Sequence, residues 1–426
     1  MIEFRHFETY LKADPSRVVL RPFTILAEAD KANGTMTRAE RIANAVMDLS
    51  DDEARKYLDQ VDGDFLGRHW QTHAIFMDRF RQIRSSIPSL KQVNDIHAKL
   101  LGAYFSHEYS YQAAAIMNPS IVPHPDQSGV RDGAVRFVLS VRAVGEGHIS
   151  SIAFREGVAT IDGGFSLWPE PPFALAAIAD QQDGGSGPVV VRRHESAPIS
   201  GNVIFPVTRA QSNGIEDLRL VHFTEEDGST HYLGTYTAFS GRDVGCEMLA
   251  TERFSEFRLT PLRGSAAKQK GLALFPRLID GRYAAIGRLD HESLYFMQSG
   301  DRFEWNGGTC IMSPKYLWEM VQLGNCGSPI EIDEGWLMLT HGVGAMRQYS
   351  MGAVLLDKKD PSTVLGRSVE PLLTPVSETR EGYVPNVVYT CGALKVGERL
   401  LLPYGVADSA VRFVSLKIQD LLATLH

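Results

Sequence analysis

Cysteine is scarce in this sequence, with four residues (Cys246, Cys310, Cys326 and Cys391) in a chain of 426. They are widely separated and form no Cys-x-x-Cys pair, which excludes a disulfide scaffold and a zinc ribbon. Long apolar runs are also missing. The longest, Phe173 to Ala179, is about seven residues, against the roughly 20 that span a bilayer. No run of Lys or Arg exceeds two, and 51 acids against 43 bases leave a net charge of −8. The basic face of a nucleic-acid binder is therefore absent, and neither nucleic acid nor membrane is expected as a partner. The P-loop, His-Glu-x-x-His and Gly-x-Ser-x-Gly patterns do not occur, and the 13 histidines show no metal-ligand spacing. The first residues, MIEFRHFETY, lack the apolar core of a signal peptide. The expectation is a cytoplasmic protein with free thiols.

What is present is apolar residue at 44%, enough for a substantial core, and two textures along the chain. Residues 1 to about 115 read as helical. Ile42, Val46 and Leu49 share one helical face. Thr37 and Glu40 have the spacing of a capping box. Further helical stripes follow over Asp51–Val61, Asp64–Ile83 (Phe65, Trp70, Ile75, Phe76, Phe80) and Pro88–Phe105. From about residue 118 the period becomes two. Val135, Phe137, Leu139 and Val141 share one strand face, and short runs of this kind recur to Leu416. Asp-Gly steps at Asp132, Asp162, Asp183, Asp227 and Asp280 separate many of them, a hairpin signal. Many short strands without alternating long helices exclude Rossmann and TIM folds and leave a sandwich, a barrel or a propeller. The division expected is a helical segment 1–115 and a β domain 116–426, with a short helix near the carboxyl end.

Two local patterns are set aside. Gly145-Glu146-Gly147-His148-Ile149-Ser150 approaches a dinucleotide loop but has no helix behind it. His124 and Asp126, in a Pro-rich loop, read as turn chemistry rather than metal ligands. Polar residues gather instead at strand ends: Asn118, Ser120, Arg142, Asp217, Lys270, Arg288, His341, Tyr349 and Asp408. Glycosyl transfer needs a carboxylic acid for the leaving oxygen, and either a second carboxylate to activate water or a nucleophile that carries its own charge. Inorganic phosphate as nucleophile needs cations and hydrogen-bond donors, which Lys, Arg, His and Tyr supply. Spacing alone reaches no further than a polar-centred β protein.

At these residues the sequence resembles glycoside hydrolase family 130, the mannoside phosphorylases and related β-mannosidases. Gly214-Ile215-Glu216-Asp217-Leu218-Arg219 is similar to the family's G-x-E-D-P-R. Leu274-Phe275-Pro276 followed by Gly281-Arg282-Tyr283 and Arg288 is similar to LFPEKI-x-GKY…R. Gly335-Trp336-Leu337 through His341-Gly342-Val343 resembles GWLLIYHGV. Tyr349 with Gly352–Asp357 resembles Y-x-L-G-A-A-L-L-D, and Val384-Pro385-Asn386-Val387-Val388 with Tyr404-Gly405 and Asp408 resembles VPNVVF and YYGAAD. The resemblance runs from about Asn118 to the end. It implies a five-bladed β-propeller preceded by a helical extension. It further implies inverting phosphorolysis of β-mannosides to α-mannose 1-phosphate. Asp217 would be the general acid, and Lys270, Arg288, His341 and Tyr349 would hold phosphate. Asn118, Ser120, Arg142 and Asp408 would contact the sugar. No metal or organic cofactor is implied, only phosphate as co-substrate, and the extension suggests a homo-oligomer. A water-using β-mannosidase, with Glu146, Glu331 or Glu334 as second carboxylate, and a non-catalytic glycan-binding propeller are the alternatives. Lys270 and Gly271 stand where phosphorylases usually have Arg and Asn, Leu218 replaces the motif's Pro, and Gln322 stands where many members have Lys.

Overall fold

The structure is a computed structural model that describes residues 2–23, 25, 36–87, 90, 92–180, 187–376 and 381–426. It is mainly β and divides into two compact units. One comprises Ser16–Tyr111 with Pro172–Ala176, the other Met1–Pro15, Gln112–Pro171 and Ala177–His426.

The first unit carries helices Arg38–Met47, Asp51–Phe65, Thr72–Arg84 and Asp95–Tyr104. The expected cap is present: the Glu40 N–H donates to the Thr37 hydroxyl, and the Thr37 N–H returns a bond to the Glu40 carboxylate at 2.8 Å. Ser50 and Glu53 repeat it on the second helix. The stripe Asp64–Ile83 is not one helix. Helix Asp51–Phe65 ends before a turn, and helix Thr72–Arg84 starts anew. Ala43, Val46, Leu58, Phe76, Phe80, Leu100 and Leu101 are buried. Strands Val18–Pro22 and Ser106–Ser110 pair antiparallel in this unit. The region expected to be all helical thus contains strands, because their apolar residues are too few to announce a period. Asp183 lies outside the described residues.

The second unit is a succession of antiparallel sheets, and the expected strand runs fall within them. Ala115–Pro123, Ala134–Val144 and Ser150–Thr160 form one ladder. Gly214–Thr224, Thr230–Phe239, Val244–Thr251 and Glu256–Pro261 form the next, joined to it where Gly214 meets Ser150. Both ladders belong to one 12-stranded sheet; Tyr283–Gly287 lies in a second sheet, Gly335–Val343 and Tyr349–Leu356 in a third, and Arg399–Val406 and Ala410–Lys417 in a fourth. Strand Arg5–Lys12, expected to be helical, adds to the fourth sheet beside Ala410–Lys417. It covers an edge that would otherwise expose unpaired N–H and C=O groups.

Successive sheets pack through apolar clusters in chain order. Ile152, Phe154, Ile215 and Leu220 fill the first layer. Phe223, Met248, Leu274 and Met297 fill the next. Ile286, Leu323, Trp336 and Met338 follow, then Leu339, Met351, Leu400 and Val414. The fourth sheet contacts the first, with the Cys391 N–H donating to Pro119 O at 2.7 Å and the Ile116 N–H to Ser409 O at 3.1 Å. Each buried aromatic or branched side chain in these layers contributes about 1.5–3 kcal/mol. The Asp-Gly steps at Asp132, Asp162, Asp227 and Asp280 lie in turns; Asp280 (φ 50°) and Gly281 (φ 70°) are both left-handed. No described helix is long and apolar enough to cross a membrane.

In the helical unit, Gly102 is the tightest contact. A Cβ there would lie 2.0 Å from the Phe76 carbonyl oxygen, backbone that cannot give way. Gly102→Ala is expected to destabilise the protein by about 1–3 kcal/mol, read as a lower denaturation midpoint.

Candidate active site

Two β-bulges place the central pair. The ladder of Gly214–Thr224 with Thr230–Phe239 loses register between Glu216 and Arg219. That of Ala115–Pro123 with Ala134–Val144 does so between Met117 and Ser120. A bulge frees one residue from pairing and re-aims its side chain. The freed residues are Asp217 (φ 56°) and Asn118 (φ 50°), both left-handed, a conformation that costs on the order of 1 kcal/mol for a residue with a Cβ. The two meet: the Asn118 amide donates to Asp217 Oδ1 at 2.5 Å.

Arg142 reaches the same carboxylate at 3.2 Å through Nη1, and Glu216 at 2.7 Å through Nη2; its Nε donates to Ser150 Oγ at 2.8 Å. Lys270 Nζ lies 2.9 Å from the other Glu216 oxygen. Arg219 is buried beneath. It donates to Cys326 O at 2.9 Å, Asp217 O at 2.9 Å and Tyr389 OH at 2.7 Å. Burial alone would raise the Asp217 carboxyl, but Arg142, Arg219, the Asn118 amide and Lys270 outweigh it and hold it below the usual carboxylate range.

The cationic side is built around Arg288. It is largely buried and has no hydrogen-bond or ion-pair partner among the described residues. Burial lowers its pKa, as does the nearby Arg219. Gly271 (φ 95°) brings the backbone after Lys270 close. A Cβ there would sit 3.7 Å from Arg288 Nη2 and 3.9 Å from Arg219 Nη2. His341 stacks on Tyr349 with ring centroids 5.8 Å apart, and meets Tyr389 edge-on at 5.1 Å. Burial, then Arg288 and Arg219, drive its pKa well down, so the ring is neutral, and Nδ1 is buried without a partner among the described residues.

The structure thus brings together Asn118, Arg142, Asp217, Lys270, Arg288, His341, Tyr349 and Asp408. Ser120 differs. It is fully buried, its hydroxyl accepts the Leu220 N–H at 3.0 Å, and it braces the bulge from behind. The second carboxylates expected for hydrolysis also lie elsewhere. Glu331 pairs with Arg277 at 2.9 Å, Glu334 accepts from Gln419 at 2.6 Å, and Glu146 is exposed in a turn. The carboxylates that do adjoin Asp217 are Glu216 and Asp408. Glu216 and Arg219 stand in the Gly214–Arg219 motif without an assigned role, and Tyr389 is not singled out by the sequence. The Glu-Asp-x-Arg spacing carries a signal for the first two, since a bulge at the Asp lets Glu and Arg lie on either side of it. Tyr389 has no such signal. Among the described residues there is no group of three or more His, Cys, Asp or Glu side chains that could hold a metal, and His124 Nδ1 serves its own turn, accepting the Asp126 N–H at 2.9 Å.

The sequence profile of glycoside hydrolase family 130, described as beta-1,4-mannooligosaccharide phosphorylase, matches residues 178–426, more than half of the chain. The chain belongs to this family. It is 30% identical over 232 residues to a beta-1,2-mannobiose phosphorylase of Listeria innocua, covering 52% of this chain and 63% of that protein. It is 31% identical over 218 residues to a 1,2-beta-oligomannan phosphorylase of Thermoanaerobacter sp., 50% of this chain and 72% of that one. The match to the Listeria protein thus spans less than two thirds of its length. A solved Listeria innocua beta-1,2-mannobiose phosphorylase, in complex with beta-1,2-mannobiose, superposes with a TM-score of 0.52 at 21% identity, over 73% of this chain and 92% of that one. At that identity the likeness concerns the fold.

Asp408 (φ 47°) lies within electrostatic reach of Asp217 and Arg142. Burial and the neighbouring Asp217 push it up to about 6, against the pull of Arg142 and Arg347. The folded state therefore binds this proton more tightly than the unfolded chain. Its contribution to stability is fully present below the ordinary value of 3.8 and is lost as pH rises to about 6. Asp408→Asn should remove this loss, so the variant's melting temperature falls less than the parent's between about pH 4 and pH 7. Parallel curves would contradict the assignment.

Proposed function

We propose that this chain is an inverting glycoside phosphorylase, a glycosyltransferase acting on β-linked manno-oligosaccharides with inorganic phosphate as co-substrate and no metal or organic cofactor. One observation carries the reading: Arg288 is largely buried and unpaired among the described residues, beside Lys270, His341 and Tyr349 and within electrostatic reach of Asp217. A guanidinium in that position is costly unless an anion completes it. Arg, Lys and Tyr donors suit the three oxygens of phosphate. The printed names of the relatives, phosphorylases of mannobiose and oligomannan, support the same class.

In this reading a phosphate oxygen attacks the anomeric carbon as the glycosidic C–O bond breaks. The proton for the leaving oxygen comes from Asp217, directly or through a sugar hydroxyl. Asp217 is held ionised by cations in the free site. Bound phosphate offsets those charges and lets the carboxyl take up its proton as the co-substrate arrives. Asn118, Arg142 and Asp408 orient the sugar, with Ser120 bracing the strand that carries Asn118. The product is α-mannose 1-phosphate.

The 12-stranded sheet, taken as two blades, and the three sheets that follow it are read as a five-bladed β-propeller with this site at its axis. The functional division is a helical extension, 1–115, and a catalytic domain, 116–426, to which the extension lends strand Arg5–Lys12. A cytoplasmic homo-oligomer assembled through the extension completes the proposal.

The test is incubation with β-1,2- and β-1,4-mannobiose, with and without phosphate, followed by NMR of the products. α-Mannose 1-phosphate should form only with phosphate. Asp217→Asn should lower kcat by about 10²–10⁴-fold. Free mannose released equally in both mixtures, with no sugar phosphate, would refute phosphorolysis.

A further inference from the structure

The turn Gly145–Ile149 and the turn Gly344–Gln348 have one backbone design. In the first, the Gly145 N–H donates to Ile149 O at 3.1 Å and the His148 N–H to Gly145 O at 3.1 Å. In the second, the Gly344 N–H donates to Gln348 O at 3.0 Å and the Gln348 N–H to Ala345 O at 3.2 Å. Each holds two successive left-handed residues, Gly147 and His148 in one (φ 67° and 59°), Met346 and Arg347 in the other (φ 55° each). Arg347 leans over Tyr349, 5.9 Å from the ring centroid, and acts electrostatically on Asp408. His148, at the corresponding place, meets a residue from a distant segment: its ring lies 5.6 Å from that of Tyr383, tilted by 35°.

Both rings are exposed, Tyr383 by 50%, yet both are anchored to the site. Two residues after His148, Ser150 accepts from Arg142. The Tyr383 N–H donates to Ser409 Oγ at 2.6 Å, next to Asp408. Gly382 packs so closely on this turn that a Cβ would lie 2.5 Å from Ala407 O. A left-handed histidine, held beside an exposed tyrosine at the solvent side of a buried polar cluster, is strain placed where a ligand can use it.

We propose that His148 and Tyr383 form the platform for a second sugar ring, the hexose on the leaving-group side of the bond that is cut. The assignment rests on the β-mannoside reading above. The ring that reacts lies against Asp217 and Arg142, which are largely buried, so an exposed pair reaches only the ring beyond it. Aromatic faces cover the C–H face of a hexose, and the imidazole and phenol supply hydrogen bonds to its hydroxyls.

The intact protein and its His148→Ala and Tyr383→Ala variants are assayed in the synthetic direction, with α-mannose 1-phosphate as donor and mannose or β-1,4-mannobiose as acceptor. The KM for the acceptor should rise by roughly five- to tenfold, with the KM for α-mannose 1-phosphate unchanged. Calorimetry with β-1,2- and β-1,4-mannotriose reads the platform without turnover and should show a similar weakening. An unchanged Kd in both variants, or no binding by the parent, overturns the platform. Weaker binding by the variants with no transfer by the parent upholds the platform and overturns the phosphorylase reading alone.

Discussion

A single buried guanidinium organises this site. Arg219 sits where three sheets converge and donates to Cys326 O, Asp217 O and Tyr389 OH, one partner from each. A buried charge is tolerated only when its donors are satisfied, and removing one partner of such a set costs about 3–5 kcal/mol. The bond to the Asp217 carbonyl is also what pins the left-handed bulge. Without it, strand Gly214–Thr224 has no reason to keep a strained residue in its ladder.

The same charge sets the electrostatics around it. It helps hold Asp217 below the usual carboxylate range, His341 neutral and Arg288 lowered. Glu216 divides the remaining cations, binding Arg142 through one carboxylate oxygen and Lys270 through the other. Lys270 pairs with Glu216, whereas Arg288 has no hydrogen-bond or ion-pair partner among the described residues. The departures Lys270 and Gly271 from the usual Arg and Asn leave the positive character in place. They also leave room beside Arg288, since no Cβ or side chain at 271 fills it.

Much of this was legible in the sequence, for identifiable reasons. Period-two runs such as Val135–Val141 declared strands because one face is core and the other is not. The Thr37–Glu40 cap declared a helix start because both partners lie within one turn. Strand Arg5–Lys12 was illegible: it is a mostly exposed edge strand whose pairing partner lies some 400 residues away in sequence. The ordered motifs singled out Asp217, Arg288, His341 and Tyr349, which the structure brings together because each sits at or near a strand end that its motif spans. They gave Ser120 a sugar contact; its hydroxyl is buried and accepts the Leu220 N–H. The roles of Glu216 and Tyr389 emerged only when distant strands were brought together.

The most direct test is a crystal structure of the protein soaked in phosphate with mannose. The account predicts a phosphate ion hydrogen-bonded to Arg288, with Lys270 and Tyr349 around it and the sugar between the ion and Asp217. A phosphate bound elsewhere, with Arg288 left without an anion, would contradict it.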